Sequence, residues 1–242
     1  MTPPLFLLDH LPGADSIVLA GDEGRHAARV RRMVVGEPAL LGDGRGTLLD
    51  CRVTDVRTDG LLLDVRGRRH VERPAVRLVV VQALPKGDRA ELAVEMMTEL
   101  GVDEIVPWAA SRSVTQWQGE RGQKALDRWR RTAREATKQS RRAWVPDIAD
   151  LATTAHVASR LHLGTGLVLH EAATAPLGAA ALPTSGELVL VVGPEGGISD
   201  GELTRFADAH ASTVRLGAPV LRTSTAGAAA LAALSVRLCR WA

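Results

Sequence analysis

The chain has 242 residues, enough for one large domain or two modest ones at about 150 residues per domain. With 45% hydrophobic and 24% charged residues it is neither disordered nor collagen-like, and no apolar run approaches the roughly eighteen residues of a membrane span. The net charge of +2 conceals an uneven distribution: residues 121–142 carry nine basic and two acidic side chains, a local charge of +7, so the remainder sums to −5.

Such a concentration is the footprint of an anionic polymer partner, although a solvated helix face would read the same way. The 30 basic residues include only three lysines, Lys86, Lys124 and Lys138, and this arginine bias suits phosphate contacts or reflects genome composition. Cys51 and Cys239 are too few, and too poorly spaced, for a disulfide framework or a zinc site, so no metal is expected. The amino-terminal MTPPLFLLDHLPGAD lacks the basic and long apolar regions of a secretory signal, which predicts a cytoplasmic protein.

In chain order, residues 1–72 read as a small β-rich domain, expected to be a barrel. Strands are predicted over 16–20, 38–41, 47–56 and 61–65, with turns at Gly42-Asp43-Gly44 and Asp59-Gly60. Residues 26–32 suggest one helical turn carrying Arg29, Arg31 and Arg32, and the basic stretch 66–73 leads to Pro74 as a linker. From 74 to 242 apolar runs alternate with helical periods, the pattern of an α/β domain with a mainly parallel sheet. Strands are expected at 77–83, 104–107, 166–170, 187–192 and 213–216. Asp88 is placed as the N-cap of a helix ending at Gly101, Ser199 with Glu202 as a capping box opening a helix to His210, and residues 226–238 as a small-residue helix. Around 121–139, Ala125, Leu126, Trp129, Ala133 and Ala136 share one stripe, leaving the basic residues on the opposite arc.

Two bends carry chemistry. The apolar strand 188–192 runs into Gly193-Pro194-Glu195-Gly196-Gly197 and then a capped helix, the place where open α/β sheets bind ligands. Leu216-Gly217-Ala218-Pro219-Val220-Leu221-Arg222 likewise joins a strand to a helix. Each alone could be a plain connection; two at successive strand ends predict a shared cleft. Neither is a Walker loop or GxGxxG, which disfavours a nucleoside triphosphate or dinucleotide. Gly197-Ile198-Ser199-Asp200-Gly201 matches GxSxG, but its first glycine does not leave the strand directly, and Ser199 is better placed as a cap than as a nucleophile.

These residues resemble the bacterial 16S ribosomal RNA uridine-N3 methyltransferases, the small subunit methyltransferase E family of the SPOUT superfamily, over nearly the whole chain. The resemblance rests on His26 with Val30, Arg31 and Arg32, then Gly36 and Asp43-Gly44. It continues through Lys86, Glu99-Leu100-Gly101-Val102, Arg112-Ser113-Val114, Gln139-Ser140 with Arg142, and Pro146, and ends with Gly193 to Gly197, Leu216-Gly217 and Leu221-Arg222-Thr223. Arg31 stands where leucine is usual, Met96 where the family often has lysine, and Lys138 where it often has glutamate.

The resemblance implies a PUA-like β-barrel RNA-binding domain over 1–72 and a SPOUT α/β methyltransferase domain with a trefoil knot over 74–242, in a homodimer. S-adenosylmethionine would be held by Leu169, His170, Gly193, Pro194, Glu195, Gly196, Gly197, Leu216, Gly217, Val220, Leu221 and Arg222, with Arg222 and Glu195 also in catalytic roles. RNA contacts are expected from Arg29, Arg32, Lys86, Arg112, Arg134, Gln139 and Arg142, with 16S ribosomal RNA or the small ribosomal subunit as partner. With no tyrosine and only Phe6 and Phe206, a Phe/Tyr stacking platform is not expected. Two alternatives stand beside this reading: a related enzyme acting on another RNA group such as a ribose 2′-hydroxyl, and a non-catalytic RNA-binding assembly factor.

Overall fold

The computed structural model describes residues 2–87 and 89–241. The chain divides into two compact units, residues 1–73 with 137–145, and residues 74–136 with 146–242.

The first unit contains β1 (Leu5–Leu7), β2 (Ser16–Leu19), a short helix α1 (Gly21–Arg25) that widens into a π-type turn over His26–Val30, β3 (Pro38–Gly42), β4 (Thr47–Arg57) and β5 (Gly60–His70). The sheet order is β1-β3-β4-β5-β2, with β1 parallel to β3 and the other pairs antiparallel. The Asp59-Gly60 dipeptide closes the β4–β5 hairpin as its sequence predicts. Glycine is required at Gly60, because a Cβ there would lie 2.2 Å from the Leu19 carbonyl oxygen. Phe6, Leu19, Leu41, Leu49, Leu61 and Leu63 form the core of this unit.

Three features depart from the sequence reading. The stretch 66–73 is not a free linker, since β5 continues to His70 and pairs Arg68, Arg69 and His70 with Leu49, Leu48 and Thr47. The run Leu5-Phe6-Leu7 forms an unpredicted strand. Residues 137–145 also belong to this unit: Ala143, with Trp144 and Val145, packs on Leu5, Leu7, Leu40 and Leu48, and the Gly46 and Val145 amides donate to the Ala143 and Gly44 carbonyls at 3.0 Å.

The second unit is built from β6 (Val76–Ala83), α2 (Arg89–Glu99), β7 (Glu104–Trp108), α3 (Gly119–Ser140, whose last turn falls in the first unit), β8 (Asp147–Ile148), α4 (Thr154–Leu163), β9 (Thr165–Leu169), β10 (Gly186–Val192), α5 (Asp200–Asp208), β11 (Ser212–Val214) and α6 (Thr223–Arg237). Its sheet is parallel throughout, in the order β11-β9-β10-β6-β7-β8. Strands β6 and β10 are almost continuously apolar because helices cover both sheet faces. On one side, α2, α3 and α6 contribute Met97, Trp129 and Leu231 to the core. On the other, α4 and α5 contribute Leu161 and Phe206, with Phe206 meeting Trp108 edge-on at 5.4 Å. The two-residue strand β8 was not predicted, and the Asp88 cap lies outside the described residues.

The amino ends of these strands are tied by ions. Arg160 of α4 clasps Glu104 at 2.5 and 2.7 Å and Glu187 at 3.0 and 3.1 Å, while Arg77 reaches Glu104, Asp147 and Glu187 at 2.7–3.0 Å. Burial alone would lower the Arg160 pKa, but hydrogen bonds and charge from Glu104 and then Glu187 raise it. Among the described residues, no helix is long and apolar enough to cross a membrane, and no group of three or more His, Cys, Asp or Glu side chains is arranged to hold a metal ion.

Candidate functional site

The opposite, carboxyl ends of the parallel strands open into a cavity of about 660 Å³ within the second unit. Four loops wall it, those that follow β7, β9, β10 and β11. This is where a parallel sheet leaves room for a ligand, because adjacent connections diverge there.

After β10, Gly193 packs so tightly that a Cβ would fall 2.7 Å from Ile198 Cγ1, and Gly197 has φ +74°, a conformation costly for other residues. The turn is closed by the Gly197 amide donating to Pro194 at 2.9 Å, and Ser199 then opens α5 through a capping box with Glu202. The loop after β11 is irregular and exposed from Gly217 to Arg222. Among the described residues, no hydrogen bond within the chain uses the amides of Leu216, Gly217, Ala218, Val220 or Leu221, all of which belong to residues that line the cavity. Arg222 caps α6, and its carbonyl accepts from the Thr225 and Ala226 amides.

Glu202 holds two of these walls together. One carboxylate oxygen accepts from the Ser111 amide at 2.8 Å and the Thr154 hydroxyl at 3.1 Å; the other accepts from the Ser199 amide at 3.0 Å and the Ser111 and Ser199 hydroxyls at 2.9 and 2.8 Å. Burial alone would raise the carboxyl pKa, but these hydrogen bonds outweigh it and hold the group below the usual carboxylate value. The result fixes Arg112, next to Ser111, against the glycine turn, where its guanidinium approaches the Gly196 carbonyl at 3.4 Å. Glu195 is held from another side by the Lys86 amide, which donates to its carboxylate at 3.2 Å.

All twelve residues expected to hold the cofactor line this one cavity, including Arg222 and Glu195. The residues expected to touch RNA separate. Arg29, Arg32, Gln139 and Arg142 belong to the first unit, where Arg29 donates to the Thr58 carbonyl at 3.1 Å and Arg32 has φ +52°. Lys86, Arg112 and Arg134 belong to the second, and Arg112 lines the cavity itself. The sequence reading missed Glu171, Asp200 and Arg215 as lining residues. Each neighbours a recognised motif, and only the strand order could have turned them toward the same space. Ser199 is spent as a cap, which agrees with its exclusion as a nucleophile.

A family model described as an RNA methyltransferase domain matches residues 72–235, and one described as an RNA methyltransferase PUA domain matches residues 19–65. Ribosomal RNA small subunit methyltransferase E of Mycobacterium bovis is 46% identical, over 100% of this chain and 94% of that protein. The chain belongs to the ribosomal RNA small subunit methyltransferase E family. The member from Bacillus subtilis is 29% identical over 92% of this chain and 90% of its own length. Among solved structures, the methyltransferase E of Neisseria gonorrhoeae, bound to S-adenosyl methionine, superposes with a TM-score of 0.85 at 27% identity and covers 98% of each chain. A probable rRNA-methyltransferase from Porphyromonas gingivalis gives 0.82 at 27% identity, over 99% of this chain and 100% of that one.

Proposed function

We propose that the chain transfers a methyl group from S-adenosylmethionine to N3 of a uridine in 16S ribosomal RNA. The observation that carries this reading is the convergence of the 193–197 and 216–222 bends on one cavity, in a chain of this family. The cavity volume suits a ligand of that size, and the five uncommitted amides fit an adenine ring read by backbone hydrogen bonds.

When bound, S-adenosylmethionine supplies an electrophilic methyl group on a sulfonium. The work left to the chain is positioning, proton removal and electrostatics. N3 lies on the Watson–Crick edge of uracil and carries a proton, so the target base must be unpaired before it can react. Arg222, at the mouth of the 216–222 loop, stabilises negative charge developing on uracil or fixes the target phosphate. Glu195, held by the Lys86 amide, orients cofactor or base. Arg29, Arg32, Lys86, Arg112, Arg134, Gln139 and Arg142 contact the RNA backbone.

The same reading carries a PUA-like barrel over 1–72, a trefoil knot within 74–242, a homodimer with the target base between protomers, and action in the cytoplasm where ribosomes assemble. Sedimentation at the monomer mass would overturn the dimer.

The deciding experiment is nucleoside mass spectrometry of 16S ribosomal RNA from cells lacking the protein. Loss of N3-methyluridine is expected; an unchanged profile would overturn the reading, and loss of a 2′-O-methyl nucleoside would move the reaction to the ribose. Calorimetry without S-adenosylmethionine binding would point to an assembly factor. For Arg222→Ala, we expect turnover to fall by about 100-fold with RNA affinity retained, the scale of losing one preorganised charge stabiliser.

A further inference from the structure

A second cavity in the same unit, of about 240 Å³, is used by none of the roles above. Its walls are Pro85 and Gly87 from the β6–α2 connection, Glu91 of α2, Trp117, and Arg128 and Trp129 of α3. The two indoles meet edge to face with centroids 5.0 Å apart. Trp129 is almost wholly buried, whereas Trp117 is only half-buried and keeps surface for a ligand. Arg128 and Glu91 pair at 3.5 Å across the wall, placing a donor and an acceptor beside an aromatic surface. The Thr115 hydroxyl donates to the Pro85 carbonyl at 3.0 Å and braces the connection.

The surroundings say what this slot suits. Arg121, Lys124, Arg128 and Arg131 are exposed and spaced three, four and three residues apart, so they form one cationic row along α3 that passes the pocket at Arg128. A partly exposed indole beside a row of cations is complementary to a polyanion that carries flat heterocycles. In a duplex those heterocycles are stacked and paired, so only an unpaired strand can deliver one. The connection that lines the slot also carries Lys86, whose amide holds Glu195 in the larger cavity.

We propose that this slot takes an unpaired nucleobase of the RNA substrate other than the one methylated, with the adjoining phosphates tracking the row on α3. The proposal rests on the RNA-methyltransferase reading and deepens it. Stacking comes from tryptophan, which is compatible with the scarcity of Phe and Tyr.

The test uses the full chain, S-adenosylmethionine, and small ribosomal subunits from cells lacking the protein. Trp117→Ala removes the stacking surface, and Ala125→Leu adds bulk to the slot wall while both tryptophans are retained. Each should raise the KM for the ribosomal particle about tenfold, the scale of losing one stacked base, with kcat and the KM for S-adenosylmethionine unchanged; Trp117→Phe should recover most of the loss. A 4-thiouridine-substituted 16S RNA should crosslink to the peptide containing Trp117 and lose that crosslink with Ala125→Leu. If Trp117→Ala fails to fold, Ala125→Leu and the crosslink decide. Wild-type methylation with an unaltered particle KM in Ala125→Leu would overturn the slot and leave the enzyme reading intact. Absence of methylation by the wild type would strike the enzyme reading instead. The crosslink would then judge the slot alone, its presence supporting it and its absence overturning it.

Discussion

Cys51 and Cys239 show how burial separates two chemically identical groups. Cys51 lies in the first unit's core, and its thiol is pushed up to about 11, first by burial and then by the neighbouring Asp50 charge. Cys239 is exposed just beyond α6. Since the thiolate is the reactive form, iodoacetamide at pH 8 should modify Cys239 and spare Cys51 in the folded chain, while both react in denaturant. Peptide mass spectrometry reads the outcome, and modification of Cys51 without unfolding would contradict the burial. At the same scale, the two glycine-bearing bends that meet in one cavity could be read because glycine at strand ends has few uses other than sharp turns and close approach. Glu202 was recognised only as half of a capping box. Its bonds to Ser111 and Thr154 join positions 91 and 48 residues away in sequence, which no local pattern encodes.

Among the elements, α5 and α6 illustrate two ways of fixing a loop. Helix α5 is anchored through Glu202, whose depressed pKa makes the sign of its pH dependence explicit. Its contribution is fully present above the ordinary carboxyl value of 4.5 and is lost as pH falls through the lower folded value. Glu202→Ala should therefore cost about 2–3 kcal/mol at pH 7, where it strands several donors, and the gap to wild type should narrow below pH 4.5. Urea unfolding at pH 7 and pH 3.5 measures both. Helix α6 instead relies on close approach: a Cβ at Gly227 would lie 2.9 Å from Met97 Sδ and 3.3 Å from Gln82 Oε1. Gly227→Val should destabilise the chain by about 1–3 kcal/mol through overpacking and displace the 216–222 loop, seen as weaker S-adenosylmethionine binding by calorimetry. The hairpin at Asp59-Gly60 and the long strands were readable because each has its own turn signal or apolar run. Strands β1 and β8, with three and two residues, are too short to show a period, and the arginines of β5 hid its continuation to His70.

For the molecule as a whole, the sequence changes texture near Pro74, where the chain passes from one compact unit to the other, whereas nothing in it marks the return of residues 137–145 to the first unit. That return depends on Ala143 packing against Leu5, Leu7, Leu40 and Leu48, more than 90 residues earlier in the chain. Within the second unit the ion cluster of Arg77, Glu104, Arg160 and Glu187 sits at the strand ends opposite the larger cavity. Removing one partner leaves Glu104, with a side chain only 9% exposed, short of its main counter-charge. Arg160→Leu should cost about 2 kcal/mol of stability and leave S-adenosylmethionine affinity within twofold, since the two features share no residue. Thermal unfolding and calorimetry on the same variant separate these effects.

That separation has a bearing on adaptation. The strand β10 spans seven residues between Glu187 near its start and Gly193 just past its end, so bracing and recognition occupy opposite rims of one rigid plate. Lineages living at different temperatures can strengthen or loosen the charged rim by single substitutions while the other rim stays as its ligands require. Heat tolerance and selectivity are thereby free to evolve as independent traits.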